Sequence, residues 1–231
     1  MIDFTFQNKV LITCEEQRLE EELFFLTDLS IFDVFTLPFI KGDPGTALEE
    51  PYSLVITEEM AEKYFGEQDP LGKILTLNNT FDFKITGVLK NIPANSHLRF
   101  NFLAPMGCAD DLHESILKIP VSLGSWRNFN CHTYLLLPKD YDPAELENKM
   151  PLFLQKHHSD GAHSTDFLKI YLQPLAKIHL YSDFDSGTEI TGDIKYIYLF
   201  SVIAFFILLI ACINFMNLST ARFANRAKEV G

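Results

Sequence analysis

An uncharged apolar run near the carboxyl end constrains this chain more than any other feature. Residues 196–216, YIYLFSVIAFFILLIACINFM, contain no Asp, Glu, Lys or Arg over 21 positions. At roughly 1.5 Å per residue, a helix of this length measures about 31 Å, which matches the hydrocarbon core of a bilayer. A core helix of a soluble protein usually keeps a polar stripe, and none occurs here before Asn214. The run therefore predicts one membrane-spanning helix.

The charges on either side of the run predict its orientation. Lys195 precedes it, whereas Arg222, Arg226 and Lys228 follow it. Positively charged flanks stay in the cytoplasm. We therefore expect a protein of the inner (plasma) membrane, with residues 1–195 outside the cytoplasm and the C-terminus inside it.

The first residues, MIDFTFQNKVLI, lack the basic start and the apolar stretch of an export signal. Two explanations stay open. Either an earlier membrane helix precedes these residues in the natural protein and carries the domain across the membrane, or the orientation is the reverse.

The residues ahead of the run are strongly acidic. The chain has 19 Lys and Arg, three of them after the run, and 31 Asp and Glu, one of them after it, which leaves a formal charge of −14 ahead. Nucleic acids and anionic lipid surfaces both attract clustered Lys and Arg. We therefore expect no nucleic-acid partner and no domain lying flat on the membrane. The composition, 47% hydrophobic and 22% charged, is that of a folded globular domain.

Local signals predict an α+β layer in the first part of the chain. Alternating apolar residues indicate strands, capping residues indicate helix ends, and Asn or Gly indicates turns. The first predicted elements are strands at 4–12 and 22–26 and helical turns with Phe32, Phe35 and Phe39. They are followed by a strand at 53–57, a helix at 58–65 capped by Thr57 and ended by Gly66, and a hairpin of 74–77 and 81–89 that turns at Asn78 and Asn79.

A break at 93–97, PANSH, separates this layer from a less regular region. Later elements are a strand at 131–137, a helix from Pro143 to about His157, a strand at 170–173 and a linker at 186–193. Asp142 is the predicted N-cap of that helix, with Glu145 as its capping-box partner.

Residues that often carry chemistry do not form a recognisable site here. His157, His158 and His163 match no standard metal spacing. The sequence has no GxSxG, HExxH or GxxxxGK[ST] motif. We therefore expect no catalysis, no cofactor and no metal.

The four cysteines also lack a recognisable site. They are Cys14, Cys108, Cys131 and Cys212, and no two have metal-ligand spacing. We expect buried thiols, with at most one disulfide among the three that precede the apolar run.

The apolar run carries candidate contacts with other helices. Small residues on one face allow close packing, and an amide can bond across to a neighbouring helix at about 0.6 kcal/mol on average. The candidates are Ser201, Ala204, Leu208, Ala211, Asn214 and Asn217. The alternative for the two Asn is that their side chains reach the lipid interface. The basic stretch ARFANRAKEVG is expected to be helical. It either only fixes the topology or begins an element that touches a cytoplasmic partner.

Several long motifs, in the same order, resemble one family of membrane proteins. They are FTLPFIKGDPGTALEEPYSLVITEEMAEKYFGEQDPLGKIL, ITGVLKNIPANSHLRFNFL, YLLLPKDYDP, LQPLAKIHLYSD and GDIKYIYLFSVIAFFILLIACINFMNLSTARFANRAKEVG. Together they resemble the FtsX-like/MacB-type ABC transporter permeases, in the form common in Bacteroidetes, over nearly the whole chain.

The resemblance implies a two-lobed extracytoplasmic domain followed by a membrane helix. It assigns 1–95 and 168–192 to a porter-like α+β lobe, 96–167 to an inserted second lobe, 193–218 to the membrane helix and 219–231 to the start of a cytoplasmic coupling segment. Arg222, Arg226, Lys228 and Glu229 are then candidate coupling residues, with Phe223 where a small residue is commoner. The sequence is expected to be part of a longer permease.

The function implied by the resemblance is mechanical. The permease dimerises and pairs with a separate cytoplasmic ABC ATPase, and ATP hydrolysis there moves the outer domain to export or release a cargo. The permease itself is then not an enzyme. The alternative is a membrane-anchored sensor or binding domain. Flanking sequence that contains neither further membrane helices nor an adjacent ATPase would favour it.

Overall fold

The computed structural model describes residues 2–5, 9–112, 114–115, 131–157, 170–178 and 194–230. The strands are β1 (Ile2–Thr5), β2 (Val10–Cys14), β3 (Gln17–Glu21), β4 (Phe24–Thr27), β5 (Phe39–Lys41), β6 (Ser53–Thr57), β7 (Ile74–Leu77), β8 (Phe81–Leu89), β9 (Phe102–Pro105) and β10 (Cys131–Thr133). The α-helices are α1 (Ile31–Val34), α2 (Glu58–Phe65), α3 (Ala109–Leu112), α4 (Pro143–His157) and α5 (Ile194–Val230). Two compact units result, one of residues 1–172 and one of residues 173–231.

The strands of the first unit form one mixed sheet. Its order is β10-β1-β4-β9-β6-β8-β7-β2-β3, with β5 paired to β8 outside this path. The β4–β9 and β6–β8 pairs are parallel, and the other pairs are antiparallel. Because β8 is nine residues long, it pairs with β7 along its first half and with β5 at its end.

Apolar residues are buried on both faces of the sheet. Phe24 and Leu26 of β4 pack with α2 in one cluster, whereas Phe25 packs with α1 in the other. All residues of β4, β6 and β9 are buried. Alternate side chains of a strand point to opposite faces, so these central strands read as continuous apolar runs. The expected α+β fold is confirmed.

Four elements with strong local signals lie where the sequence predicts them. Strands β6, β7 and β8 and helix α2 have the predicted bounds. At the β7–β8 turn, Asn78 and Asn79 have φ of 50° and 56°, a left-handed conformation that Asn tolerates better than most residues. Gly66 ends α2 with φ of 54°. At α4, the Asp142 side chain accepts a hydrogen bond from Ala144 N at 3.0 Å, so this N-cap is confirmed.

The predicted strand at 4–12 is wrong, because this stretch contributes to two strands in different parts of the sheet. β1 pairs with β4 and β10, whereas β2 lies between β3 and β7. The strand predicted at 22–26 is displaced to β4, and the preceding strand β3 was not predicted. Leu23 has φ of 64° and separates the two. β3, QRLEE, is an edge strand. Charged residues are common on edge strands, and here they replace the apolar pattern from which a strand is predicted.

Three further predictions need correction. Phe39 lies in β5 instead of a helical turn, although its ring is 4.9 Å from Phe32 in an edge-to-face contact. The strand predicted at 131–137 ends at Thr133. Residues 170–173 form no strand, and the amide of Leu172 instead donates to the Glu147 carboxylate at 2.8 Å.

The chain returns to the sheet after the break at 93–97. β9, between β4 and β6, and β10, beside β1, both belong to the same sheet as the earlier strands. The assignment of 96–167 to an inserted second lobe stays a prediction. The linker predicted at 186–193 lies outside the described residues.

Candidate functional site

Helix α5 contains the apolar run 196–216, from which the sequence predicts a membrane-spanning helix. Within the described residues it is the one helix long and apolar enough to cross a membrane, over Ile194–Thr220. These 27 residues measure about 40 Å at 1.5 Å per residue, which exceeds a hydrocarbon core of about 30 Å. A helix of this length fits a bilayer by tilting or by reaching into the headgroup layer.

The same helix continues without interruption beyond its apolar part. It runs to Val230, so residues 219–230 of the segment predicted at 219–231 continue the apolar helix. Near the join, the Thr220 hydroxyl donates to the Met216 carbonyl at 2.9 Å, which satisfies it within the helix. This extension adds about 15 Å of helix beyond Thr220. It carries Arg222, Arg226, Lys228 and Glu229.

The predicted helix-packing residues are all exposed on α5. They are Ser201, Ala204, Leu208, Ala211, Asn214 and Asn217. Ser201, Ala204, Leu208 and Ala211 follow a spacing of three and four residues, which keeps them on one face. A packing role for them stays a prediction.

A buried charged cluster joins α2 to the sheet of the first unit. Glu21 of β3 is 5% exposed. Its Oε1 accepts a hydrogen bond from the Tyr64 hydroxyl at 2.6 Å and lies 2.6 Å from Lys63 Nζ. Burial, together with this hydrogen bond, raises the pKa of Tyr64. Both partners of Glu21 come from α2, so the cluster ties the helix to the edge strand.

A second tyrosine–carboxylate pair ties α3 to the sheet. The Tyr52 hydroxyl donates to Asp111 Oδ2 at 2.5 Å, and this bond raises the pKa of Tyr52 to about 12. Tyr52 stacks on Phe81 at 6.0 Å between ring centroids. The arrangement keeps the phenol protonated at neutral pH, which is typical of a structural contact and not of a catalytic base.

The structure buries two of the four cysteines that the sequence predicts as buried thiols. Cys14 and Cys108 are buried, Cys131 is half-buried, Cys212 is exposed, and all four are free. Burial raises the pKa of Cys14, and it raises the pKa of Cys108 to about 12. A thiol with such a pKa is a poor nucleophile at neutral pH.

Metal ligands are not clustered in the part of the chain that the structure describes. His157 is the last residue of α4. His158 and His163 lie outside the described residues.

Sequence reasoning missed the polar contacts between distant residues. Asn91 accepts a hydrogen bond from Glu59 N at 2.8 Å and thereby caps α2, whereas the predicted cap, Thr57, makes no such bond. The partners of the buried Glu21 carboxylate were missed as well, and so were the ring contacts of His97 with Phe35 and Tyr134. None of these leaves a local sequence signal, because the partners are 32 or more residues apart.

Comparison with known proteins identifies the family. The model of the MacB-like periplasmic core domain matches residues 9–151, from the residue before β2 into α4. The chain belongs to this family. The predicted resemblance to MacB-type permeases is thus confirmed, and the MacB-like match includes nine of the ten strands of the sheet. A search of curated proteins finds no match.

The solved structures that match this chain include a permease domain, a periplasmic region and an extracellular domain. A domain described as part of a permease protein from Porphyromonas gingivalis is 25% identical, with a TM-score of 0.54 over 69% of this chain and 64% of that chain. The periplasmic region of MacB from Actinobacillus actinomycetemcomitans is 14% identical, with a TM-score of 0.48 over 68% and 66%. The extracellular domain of the ABC-type transporter YknZ from Gram-positive bacteria is 19% identical, with a TM-score of 0.36 over 52% and 59%. This MacB-like chain therefore spans less than two thirds of each of them.

Proposed function

We propose that the chain is a permease subunit of an ABC transporter of the mechanotransmission type. ATP hydrolysis by a separate cytoplasmic ATPase moves the MacB-like domain outside the membrane, and this movement exports or releases a cargo. The observation that carries the proposal is the continuity of α5. It runs as one helix from Ile194 to Val230, from the apolar segment into the basic extension.

A continuous helix suits the transmission of force across a membrane. Sharp kinks in helices occur almost always at Pro, at Gly or Ser pairs or at inserted bulges, and residues 194–230 contain neither Gly nor Pro. A displacement of the basic end therefore tilts the apolar part with it. Such a rigid-body movement between two states is the kind that nucleotide binding biases.

The membrane placement follows from the charges. In the proposal, residues 1–195 lie outside the cytoplasm, and the end of α5 lies inside, because Arg222, Arg226 and Lys228 favour the cytoplasmic side. These residues, with Glu229, face the ATPase. Ser201, Ala204, Ala211, Asn214 and Asn217 pack against helices of the permease, including those of a second protomer. The chain itself has no enzymatic role.

The test weakens the helix between its apolar and basic parts in the full-length permease. Ser219 and Thr220 are both changed to Gly, and in the matched control both are changed to Ala. Gly costs a helix about 1 kcal/mol per residue relative to Ala. We expect both variants to insert in the membrane and to co-purify with an ABC ATPase. The Ala variant keeps the ATP-dependent change in distance between spin labels on the two outer domains, and the Gly variant loses it.

Two results would contradict the proposal. A full-length permease that co-purifies with no ATPase favours the sensor or binding domain. A Gly variant that moves its outer domains as the Ala variant does excludes helix continuity as the route of coupling. A separate labelling experiment tests the orientation, since a cysteine introduced at exposed Tyr171 must react with an impermeant maleimide in intact cells.

A further inference from the structure

The loop after β8 places His97 in a cluster of rings from two other elements. The His97 ring lies 5.7 Å from the ring of Phe35, at the end of α1, and 5.6 Å from that of Tyr134, directly after β10. Phe35 and Tyr134 pack edge to face at 5.1 Å. The three rings thus join the loop, α1 and the end of β10.

The buried nitrogen of His97 has no hydrogen-bond partner. Nε2 is inaccessible to solvent and contacts no donor or acceptor in the described part of the chain. A neutral imidazole has one N–H, whereas an imidazolium has two and needs an acceptor for each. A proton on His97 would therefore add a charge and an unpaired donor inside the cluster, and both are costly when buried.

The charges on the surrounding elements do not compensate such a proton. Asp33 of α1 is exposed, and Arg99 follows His97 in its own loop. The group whose charge acts on His97 is His132 of β10, and it opposes protonation. Burial and, secondly, His132 hold the pKa of His97 below its usual value of 6.5.

The strand held by this cluster is weakly attached. β10 has three residues and lies at the end of the sheet order, where β1 is its one neighbour among the described strands. It pairs with β1 through Ile2↔Thr133, Asp3↔His132 and Phe4↔Cys131. The packing of Tyr134 on Phe35 and His97 adds a second attachment. Loss of that packing leaves a short edge strand, which opens more easily than central strands.

We propose that the His97 ring cluster is a proton-sensitive latch that holds β10 on the sheet at neutral pH and releases it in mild acid. Release exposes His97, so that both of its ring nitrogens reach water. The opened state binds the proton more tightly than the closed state, and acid therefore shifts the equilibrium toward opening. This conformational response does not depend on the proposed transport function.

Hydrogen exchange of the full chain in lipid nanodiscs tests the latch. Exchange of the backbone amides of residues 131–136 is measured at about pH 7.5 and about pH 5.5 and corrected for the intrinsic rates. Between the pKa of an exposed His, about 6.5, and the lower pKa of the closed state, opening increases by up to about tenfold per pH unit. We expect the amides of 131–136 to lose up to about tenfold protection at the lower pH, while those of 54–56 in central β6 keep theirs.

Two variants separate the latch from general acid sensitivity. His97→Phe keeps a ring but cannot take a proton, and its protection at 131–136 should be the same at both pH values. His132→Gln removes a group that opposes protonation of His97 in the closed state, so the closed and open states differ less in proton affinity and the loss of protection at the lower pH should be smaller. If His97→Phe does not fold, His97→Gln replaces it with the same expectation. Equal protection of the unaltered chain at both pH values, or an unchanged acid response without His97, would overturn the proposal.

Discussion

The Tyr64 hydroxyl donates a 2.6 Å hydrogen bond to the buried carboxylate of Glu21, joining α2 to the edge strand β3. A hydrogen bond to a charged group contributes about 1.5–3 kcal/mol. Tyr64→Phe leaves this carboxylate with Lys63 as its remaining partner in the cluster. We expect a loss of about 2 kcal/mol in the free energy of unfolding, measured by urea titration of the full chain in detergent and near-ultraviolet circular dichroism.

The matched control for this substitution is Tyr171→Phe. Tyr171 is 71% exposed, so removal of its hydroxyl is expected to change stability by less than about 0.5 kcal/mol. Equal effects of the two substitutions would show that the Glu21 contact contributes nothing.

The N-terminal cap of α2 comes from Asn91, whose side chain accepts from Glu59 N at 2.8 Å. Asn91→Ala is expected to destabilise the domain by about 1 kcal/mol, as for loss of an N-cap. Thr57→Val is expected to be neutral or stabilising, because the buried Thr57 hydroxyl has no hydrogen-bond partner in the described residues. Hydrogen exchange of the α2 backbone amides measures both effects. A larger loss of protection in Thr57→Val than in Asn91→Ala would identify Thr57 as the cap.

Gly42 allows the end of β5 to approach β8 closely. It has φ of +90°, and a Cβ at this position would lie 2.8 Å from Gly87 Cα and closer still to the Thr86 carbonyl oxygen. A left-handed conformation alone costs a residue with a side chain roughly 1–2 kcal/mol. Gly42→Ala therefore combines that strain with a backbone clash, and we expect a larger loss of thermal stability than strain alone gives.

Gly72→Ala provides the comparison for Gly42→Ala. Gly72 also has a positive φ, +77°, but nothing lies within 4 Å of a Cβ added there. This substitution is expected to cost about 1–2 kcal/mol from strain alone. Equal melting temperatures for the two variants would exclude the predicted clash between β5 and β8.

Ionisation of Tyr52 makes the free energy of unfolding depend on pH in the alkaline range. Its pKa is raised to about 12 by the hydrogen bond to Asp111, above the usual value of 10.0. Because the folded state holds the proton more tightly, this contribution is complete below about pH 10 and is lost as the pH rises through about 12. The absorbance of ionised tyrosine is measured in the unaltered chain and in Tyr52→Phe. The difference between the two, which reports Tyr52, should titrate near pH 12. The same difference, measured between Asp111→Asn and the double variant with Tyr52→Phe, should titrate closer to pH 10. An unchanged midpoint would contradict the role of Asp111.

Elements with complete local signals could be predicted with their bounds. The helix at 58–65 carries its stop residue, Gly66, in the local sequence. The hairpin of 74–77 and 81–89 likewise carries its turn residues, Asn78 and Asn79. The strand at 4–12 could not be predicted correctly, because strand propensity does not reveal which partners a segment will pair with. The two halves of that stretch pair at different places in the sheet.

The candidate site divides in the same way. The helical state of the apolar segment of α5 follows from its composition, since in lipid the polar backbone N–H and C=O groups of such a segment find partners only within a helix. The sequence predicts the basic stretch beyond this segment as helical, but only the structure shows that both parts form one helix to Val230. Asn91 as a helix cap and His97 in its ring cluster were not predictable, because both depend on contacts between residues far apart in the chain.

The sequence by itself determined the long apolar helix, the α+β class and the MacB-like family, because each follows from patterns that neighbouring residues carry together. The tertiary structure alone decided the strand order, with β9 returned between β4 and β6, and the partners of Glu21, Asn91 and His97. Those contacts arise only when the sheet brings distant segments together. Folding then buries their polar groups, and the tertiary structure decides which of these groups are hydrogen-bonded.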